Sequence, residues 1–403
     1  MFDSGSTTFM ILCTSLVMLM TPGLAFFYGG LASKRNILGI MVQTFVSLGI
    51  TTIMWVTIGY SLCFSGGEGS IIGNLDLAFL NGISFDQPFS NGKYPVYIFV
   101  AYQMMFAIIT PALITGAFIN RVSFKAYLIF LIMWQIFVYY PFVHMVWGDG
   151  ILAKWGVLDF AGGIVVHATA GFAALASVIY VGKRRDTNSP PNSIPLVAIG
   201  TGLLWFGWYG FNAGSQLDVD AISTLAFLNT DVAASFAAIT WLIIEWAKEG
   251  QPKFVGLLTG AVAGLATITP AAGYVPLWAA MIIGIAAGAV CFLAVQMKNK
   301  LGWDDALDVW GVHGIGGTLG TILLGVFAFS SINKQSGLLE GNVSFFVKEV
   351  VAVLIGAVYA FGFTYLMLVL INLISPVRTT EREEEIGIDQ ALHGEKAYDE
   401  GAL

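Results

Sequence analysis

Apolar residues follow one another almost without relief along most of this chain, and the relief comes in short clusters of charged residues, proline and glycine. The segments between clusters are long enough for a helix to cross about 30 Å of hydrocarbon, whereas a transmembrane barrel would show alternating segments of about ten residues. The breaks predict eleven spans, at 7–31, 37–64, 95–119, 124–142, 160–182, 194–215, 222–247, 254–273, 276–297, 308–330 and 345–374. The fold class expected is an all-α polytopic membrane protein.

Basic residues orient the spans, because Lys and Arg gather on the cytoplasmic side of a membrane. One side collects Lys34, Arg35, Arg121, Lys125, Lys183, Arg184, Arg185, Lys248, Lys253, Lys298, Lys300, Arg378, Arg382 and Lys396, and the other only Lys93, Lys154, Lys334 and Lys348. All 18 Lys and Arg are then accounted for without stranding one at membrane depth. With an odd number of spans, the N-terminus is expected outside and the chain beyond Pro376 inside.

The halves echo each other. Asp159 precedes His167 by eight residues, as Asp305 precedes His313, and each His is followed four residues later by glycine, at Gly171 and Gly317. Tyr28-Gly29 finds an echo in Tyr209-Gly210. Five spans per half is an odd number, so the halves are expected to be inverted in the membrane, with a substrate path at their interface.

Composition agrees: 57% of residues are hydrophobic and 11% charged, with a mean hydropathy of +0.79, too apolar for a soluble protein of this size. The net charge of −7 lies outside the spans and in the acidic stretch 381–385, with no basic stripe, so no nucleic-acid partner is expected. Cys13, Cys63 and Cys291 lie singly in apolar surroundings and read as reduced packing residues. The first apolar run has no basic residue before it and no small-residue cleavage site after it, so it reads as a mature helix. Glycine, at 47 residues, is abundant, and pairs such as Gly260 with Gly264 and Gly284 with Gly288 have the spacing that lets helix backbones approach closely.

Titratable groups in hydrocarbon are costly and usually face a pore or a protein interior. Eight residues of helix rise about 12 Å, so neither Asp is close enough to partner the His of its own segment, and the two imidazoles are expected to meet each other. Two imidazoles in contact form a line of neutral donors and acceptors suited to a small hydrogen-bonding molecule in a dry pore. Structural histidines bonded to backbone carbonyls are the alternative. A bis-His haem lacks any accompanying attachment motif, and a closed zinc site needs four ligands, so no cofactor or metal is expected. Asp159 and Asp305 fall near helix starts, where a carboxylate caps free N–H groups while its charge also favours a cation at a pore mouth. Phe26, Phe27, Phe106, Trp147, Phe160 and Phe211 flank glycine, polar residues or span ends, where an aromatic face can hold a cation.

Four separated strings resemble the ammonium transporter (Amt) family of the Amt/Mep/Rh superfamily: Pro22-Gly-Leu-Ala-Phe-Phe-Tyr-Gly-Gly30, Asp159-Phe-Ala-Gly-Gly-Ile-Val-Val-His167, Trp208-Tyr-Gly-Phe-Asn-Ala-Gly-Ser215 and Asp308-Val-Trp-Gly-Val-His-Gly314. The resemblance spans essentially the whole chain. It implies eleven transmembrane helices, an inverted five-plus-five repeat with a pore between the halves, and a homotrimer with one pore per subunit. It implies a transporter or channel rather than an enzyme, taking ammonium and its analogue methylammonium across the cell membrane. An external recruitment site maps to Phe106, Trp147 and Ser215, an apolar gate to Phe106 and Phe211, and a pore lined by twin histidines to His167 and His313. Asp159, and with less weight Asp305, give structural and electrostatic support. Met104-Met105 before Phe106 departs locally from the family pattern.

The domain organisation expected is a transmembrane domain over 1–374, with repeat one at about 7–182, repeat two at about 194–330 and the eleventh helix at about 345–374. A cytoplasmic tail covers 375–403. That tail resembles the regulatory tail of bacterial and archaeal relatives, which implies regulation and a face that a PII-type signal protein can block. An ammonium sensor that binds but conducts poorly is the competing reading.

Overall fold

The structure is a computed structural model that describes residues 2–89, 92–187 and 189–398. Met1 and residues 399–403, the ends of the two expected domains, lie outside the described residues.

The chain crosses back and forth as α1 (Ser4–Leu31), α2 (Ile37–Phe64), α3 (Val96–Ala117), α4 (Phe124–Trp155), α5 (Gly163–Val181), α6 (Ile194–Gln216), α7 (Ala221–Glu249), α8 (Phe254–Ile268), α9 (Leu277–Leu301), α10 (Trp310–Phe327) and α11 (Val343–Ile374). Ten are long and apolar enough to span a membrane; α8, with 15 residues, completes the eleven. The described residues form no sheet, only two isolated bridges. Local chemistry sets several starts: Asp3, Ser123, Ser193 and Asn342 accept from N–H groups of the first turns of α1, α4, α6 and α11, and Asp220 with Ser223 makes a capping box on α7.

Two of the expected boundaries shift for identifiable reasons. The fourth span does not stop at 142 but continues as α4, broken at 148–150. Pro141 is tolerated because a π turn, Gln135–Tyr139, precedes it, and the Phe137 carbonyl four residues earlier accepts a 2.9 Å bond from the Tyr359 hydroxyl. The eighth span ends at Ile268 rather than 273, because Pro270 and Gly273 form a turn against Phe160, whose ring occupies the space a side chain at 273 would need.

The close approaches are glycine-mediated. A Cβ on Gly264 or Gly284 would lie 2.6 or 2.5 Å from the Ala233 carbonyl oxygen, so α8 and α9 both press on the backbone of α7. At the centre, Gly171 of α5 lies against the Gly314 backbone, while Gly317 of α10 lies against the Gly163 carbonyl and the Ala168 amide. The paired glycines thus bring α5 and α10 back to back at mid-depth. Large apolar side chains on the outer faces, such as Phe227, Ile243, Leu293, Leu354 and Val358, remain exposed, as a lipid-facing surface requires.

The N-terminus, the α2–α3 connection and the start of α5 share one face; the α1–α2, α5–α6 and α9–α10 connections share the other. The tail lies folded on the second face: α12 (Glu381–Ile386) is capped by Thr380, and Asp389 accepts a 2.8 Å bond from the Gly39 amide at the start of α2. On that face Arg184 grips Asp304 through its Nε and guanidinium Nη2, and Arg121, fully buried, bonds to the Ala117 and Asp304 carbonyls.

Gly171→Val, which forces two methyl groups into the Gly314 backbone, is expected to cost about 3 kcal/mol or more and to abolish a monodisperse folded fraction in detergent. Thermal melting with size-exclusion chromatography checks this, with Gly49→Val, where the structure leaves open space, as the control.

Candidate functional site: two cavities and an aromatic partition

The helices that carry the two histidines do not begin as ordinary α-helices. The first turns of α5 and α10 are π turns, Gly163–Ala168 and Trp310–Gly314, and each contains its histidine. Such turns leave backbone groups in need of partners, and the aspartates supply them. Asp159 accepts through Oδ1 from Gly162 and Gly163 and through Oδ2 from Ile164 and Val165, at 2.6–3.1 Å. Asp305 accepts from Val309 and Trp310 at 3.1 and 2.8 Å. Lys298, nearly buried, donates to the Asp305 carbonyl and to the Asp308 carboxylate at 2.7 and 2.5 Å. The two carboxylates therefore cap pseudo-equivalent helices that start from opposite faces.

His167 and His313 meet at the crossing of these helices. Their Nδ1 atoms are 3.2 Å apart and their rings are nearly parallel, at 22°. One ring must carry Nδ1–H and the other present its Nδ1 lone pair, so the first offers a bare Nε2 and the second an Nε2–H. The Nε2 of His167 has no partner among the described residues. His167 also lies nearly parallel to the neighbouring rings of Trp208 and Phe211, with ring centroids at 5.5 and 6.1 Å.

On the N-terminal face a cavity of about 350 Å³ is lined by Phe106, Trp147, Asp159, Phe160, Ser215, Gln103 and Tyr274, among others. Trp147 stands perpendicular to Phe106 with centroids 6.0 Å apart, and its indole N–H donates to the Asp159 carbonyl at 2.8 Å, which fixes the plane of the ring. Ser215 donates its own proton to the Phe211 carbonyl at 2.8 Å, and its oxygen, 3.2 Å from the Tyr102 hydroxyl, is left as an acceptor with two lone pairs. The Gln103 carbonyl oxygen is buried and has no partner among the described residues.

A second cavity, about 220 Å³, runs toward the tail face. It is lined by Phe211, Trp208, His167 and His313 at one end and by Tyr28, Asp308, Arg184 and Ser189 toward the other. Phe106 lines only the first cavity and Phe211 only the second. Their rings lie 4.2 Å apart at 30° and form the partition between the two.

The structure thus brings Phe106, Trp147, Ser215 and Asp159 to one cavity, Phe211, His167 and His313 to the other, and keeps Asp305 beneath the backbone of α10. Of the remaining aromatic candidates, Phe160 lines the first cavity and Phe27 the second, whereas Phe26 lines neither. Sequence reasoning overlooked Gln103, Tyr28 and Asp308. Gln103 carried a signal, being a polar residue in an apolar run three positions before Phe106. No group of three or more metal-ligating side chains occurs among the described residues.

A helical membrane bundle with two cavities meeting at an aromatic partition defines a transport protein of the channel-like class. The particular family emerges from comparison: a profile of the Ammonium Transporter Family matches residues 8–398, and the chain belongs to that family, one of transporters and not of enzymes. It is 46% identical over 398 residues to an ammonium transporter of Bacillus subtilis, covering 98% of each chain. The solved structure of Saccharomyces cerevisiae Mep2 superimposes with a TM-score of 0.91 at 33% identity, over 100% of this chain and 93% of that one. A structure titled Sensor Amt Protein gives a TM-score of 0.88 at 29% identity, over 96% of this chain and 97% of that one.

Asp305 lies outside the spans, where burial pushes its carboxyl up to about 6 against the opposing pull of Lys298. A folded-state value above the ordinary 3.8 contributes stability that is fully present below that value and lost as the pH rises through 6. The melting temperature is therefore expected to rise on going from pH 7.5 to 5, and Asp305→Asn to flatten that slope by on the order of 2 °C, measured by scanning fluorimetry across pH.

Proposed function

We propose that the chain is an ammonium transporter of the cell membrane that recruits the cation at the N-terminal face, strips one proton and passes ammonia along the twin histidines. The observation that carries this reading is the Phe106–Phe211 partition between a cavity lined by aromatic rings, Ser215 and Gln103 and one lined by paired imidazoles. In the first cavity Phe106 and Trp147 offer π faces, each worth about 0.5–2 kcal/mol to a cation, and Ser215 accepts a hydrogen bond. Asp159, its oxygens bonded to four backbone amides, adds a fixed negative charge nearby.

Selectivity follows from desolvation. Ammonium and potassium are similar in size, but phenyl rings and imidazoles cannot replace the water around potassium. Ammonium can surrender a proton and cross the partition as a neutral molecule, which then meets a bare imidazole nitrogen and an imidazole N–H in turn. Phe106 and Phe211 act as the gate, His167 and His313 as the pore wall, and Asp305 supports the helix that carries His313. The released proton either returns to the vestibule or moves along the imidazoles, and simultaneous measurement of current and uptake decides between them.

The distribution of basic residues supports an external N-terminus and a cytoplasmic tail. The transmembrane domain then covers 1–374, with repeats at about 7–182 and 194–330 and the eleventh helix at about 345–374, and the regulatory tail covers 375–403. Methylammonium is the expected analogue, the assembly a homotrimer, and the tail face the docking side for a PII-type signal protein. The likeness to a structure titled Sensor Amt Protein favours one second reading, a sensor that binds ammonium but turns it over poorly.

In proteoliposomes the intact protein is expected to take up ammonium saturably and to exclude potassium. His167→Ala and Phe211→Ala are each expected to change uptake or selectivity by about tenfold or more. Bound ammonium without turnover would establish the sensor, and potassium carried as readily as ammonium would remove the filter.

A further inference from the structure

Glu349 is an acidic side chain in the second turn of α11, fully buried, on a helix that lines neither cavity. Its Oε1 accepts a 2.7 Å bond from the Leu158 amide, and its Oε2 has no partner among the described residues. Leu158 belongs to the non-helical stretch between α4 and α5, which forms a wall of the vestibule through Val157, Leu158, Asp159 and Phe160.

With no helix of its own, that stretch is held by individual bonds. The Phe160 amide reaches the Pro270 carbonyl, and the Asp159 carbonyl accepts from the Trp147 indole. The Leu158 amide goes to Glu349, which ties the wall to α11. A shift of the wall moves the carbonyl to which Trp147 is bonded, so the indole turns with it. The bond from Leu158 needs only an acceptor oxygen, which a carboxamide supplies as well, and among the described residues the other oxygen has no hydrogen-bond partner that would call for a full negative charge.

We infer that Glu349 is a positioning residue of the recruitment site: it holds the 157–160 wall, and through it Trp147, in register for the cation, and it works as a hydrogen-bond acceptor and not as a charge. The inference rests on the transport reading above and makes a sided prediction, since the wall belongs to the vestibule alone.

Ammonium uptake is measured with right-side-out and inverted membrane vesicles carrying the wild type, Glu349→Gln or Glu349→Met, the last filling the space without an oxygen, and each variant is also melted. Glu349→Met is expected to raise KM about fivefold for transport from the vestibule side, with KM from the tail face within about twofold of wild type and the ratio of maximal rate to KM lowered equally in the two directions, as passive transport requires. Glu349→Gln is expected to stay within about twofold in every parameter. Glu349→Gln raising KM as far as Glu349→Met would overturn the inference in favour of a direct charge effect. A wild-type KM in Glu349→Met, or an equal rise in KM from both sides in step with a lower melting temperature, would overturn it in favour of structural packing. Wild-type vesicles without saturable uptake would remove the transport reading itself, and the inference with it.

Discussion

Every backbone group in hydrocarbon needs a partner, and this bundle meets that constraint at its buried centre by capping the irregular starts of two helices with carboxylates. The π turns that open α5 and α10 free several amides, which Asp159 and Asp305 collect. A break in an ordinary helix would be a defect. Here it turns two side chains toward each other, because a π turn shifts the register of the helix beyond it, and the histidines sit inside it. The bond between their Nδ1 atoms depends on these caps and on the glycines that let the helices touch.

The same arrangement explains why the cavities are distinct in character. Asp159 opens α5 from the N-terminal face and Asp305 opens α10 from the tail face, so the pseudo-symmetric halves are used asymmetrically. The N-terminal cavity gains hydroxyl, carboxamide and aromatic surface at Ser215, Gln103 and Trp147, whereas the other is walled by imidazole, indole and phenyl rings beside the partition and includes Asp308, Arg184 and Ser189 toward the tail face. Phe106 and Phe211 come from α3 and α6, one from each half, and their ring contact closes the interface at that level. In the proposed pathway the cation stops where its polar partners stop.

The tail face is organised by charge. Arg184 and Arg121 converge on Asp304, and Arg185 and Arg378 reach the acidic residues of the tail, so the connections on this side are fastened to one another and to α12. Much of this network is exposed and individually weak, but Asp389 on the start of α2 and the buried Arg121 fix its geometry. Ring contact between Phe124 and His393 places the fourth histidine in the tail, far from the pore pair.

Long apolar runs and the bias of basic residues determined the number and kind of helices, because hydrophobic length is a property of consecutive residues. The paired Asp-x7-His strings marked the helices that matter, and the glycine four residues beyond each His marked their contact. The family resemblance pointed to Phe106, Trp147, Phe211 and Ser215, of which only Phe211 and Ser215 lie within the matching strings and which position alone did not single out. What only the tertiary structure decided is non-local: that α4 runs on past Pro141 because Tyr359 satisfies Phe137, that Phe106 and Phe211 face each other, and that Glu349 reaches Leu158 from a helix nearly two hundred positions away. A hydrogen bond or a ring contact across the bundle depends on how helices are rotated and offset against one another. That information is held in the sum of the packing and in no stretch of the sequence.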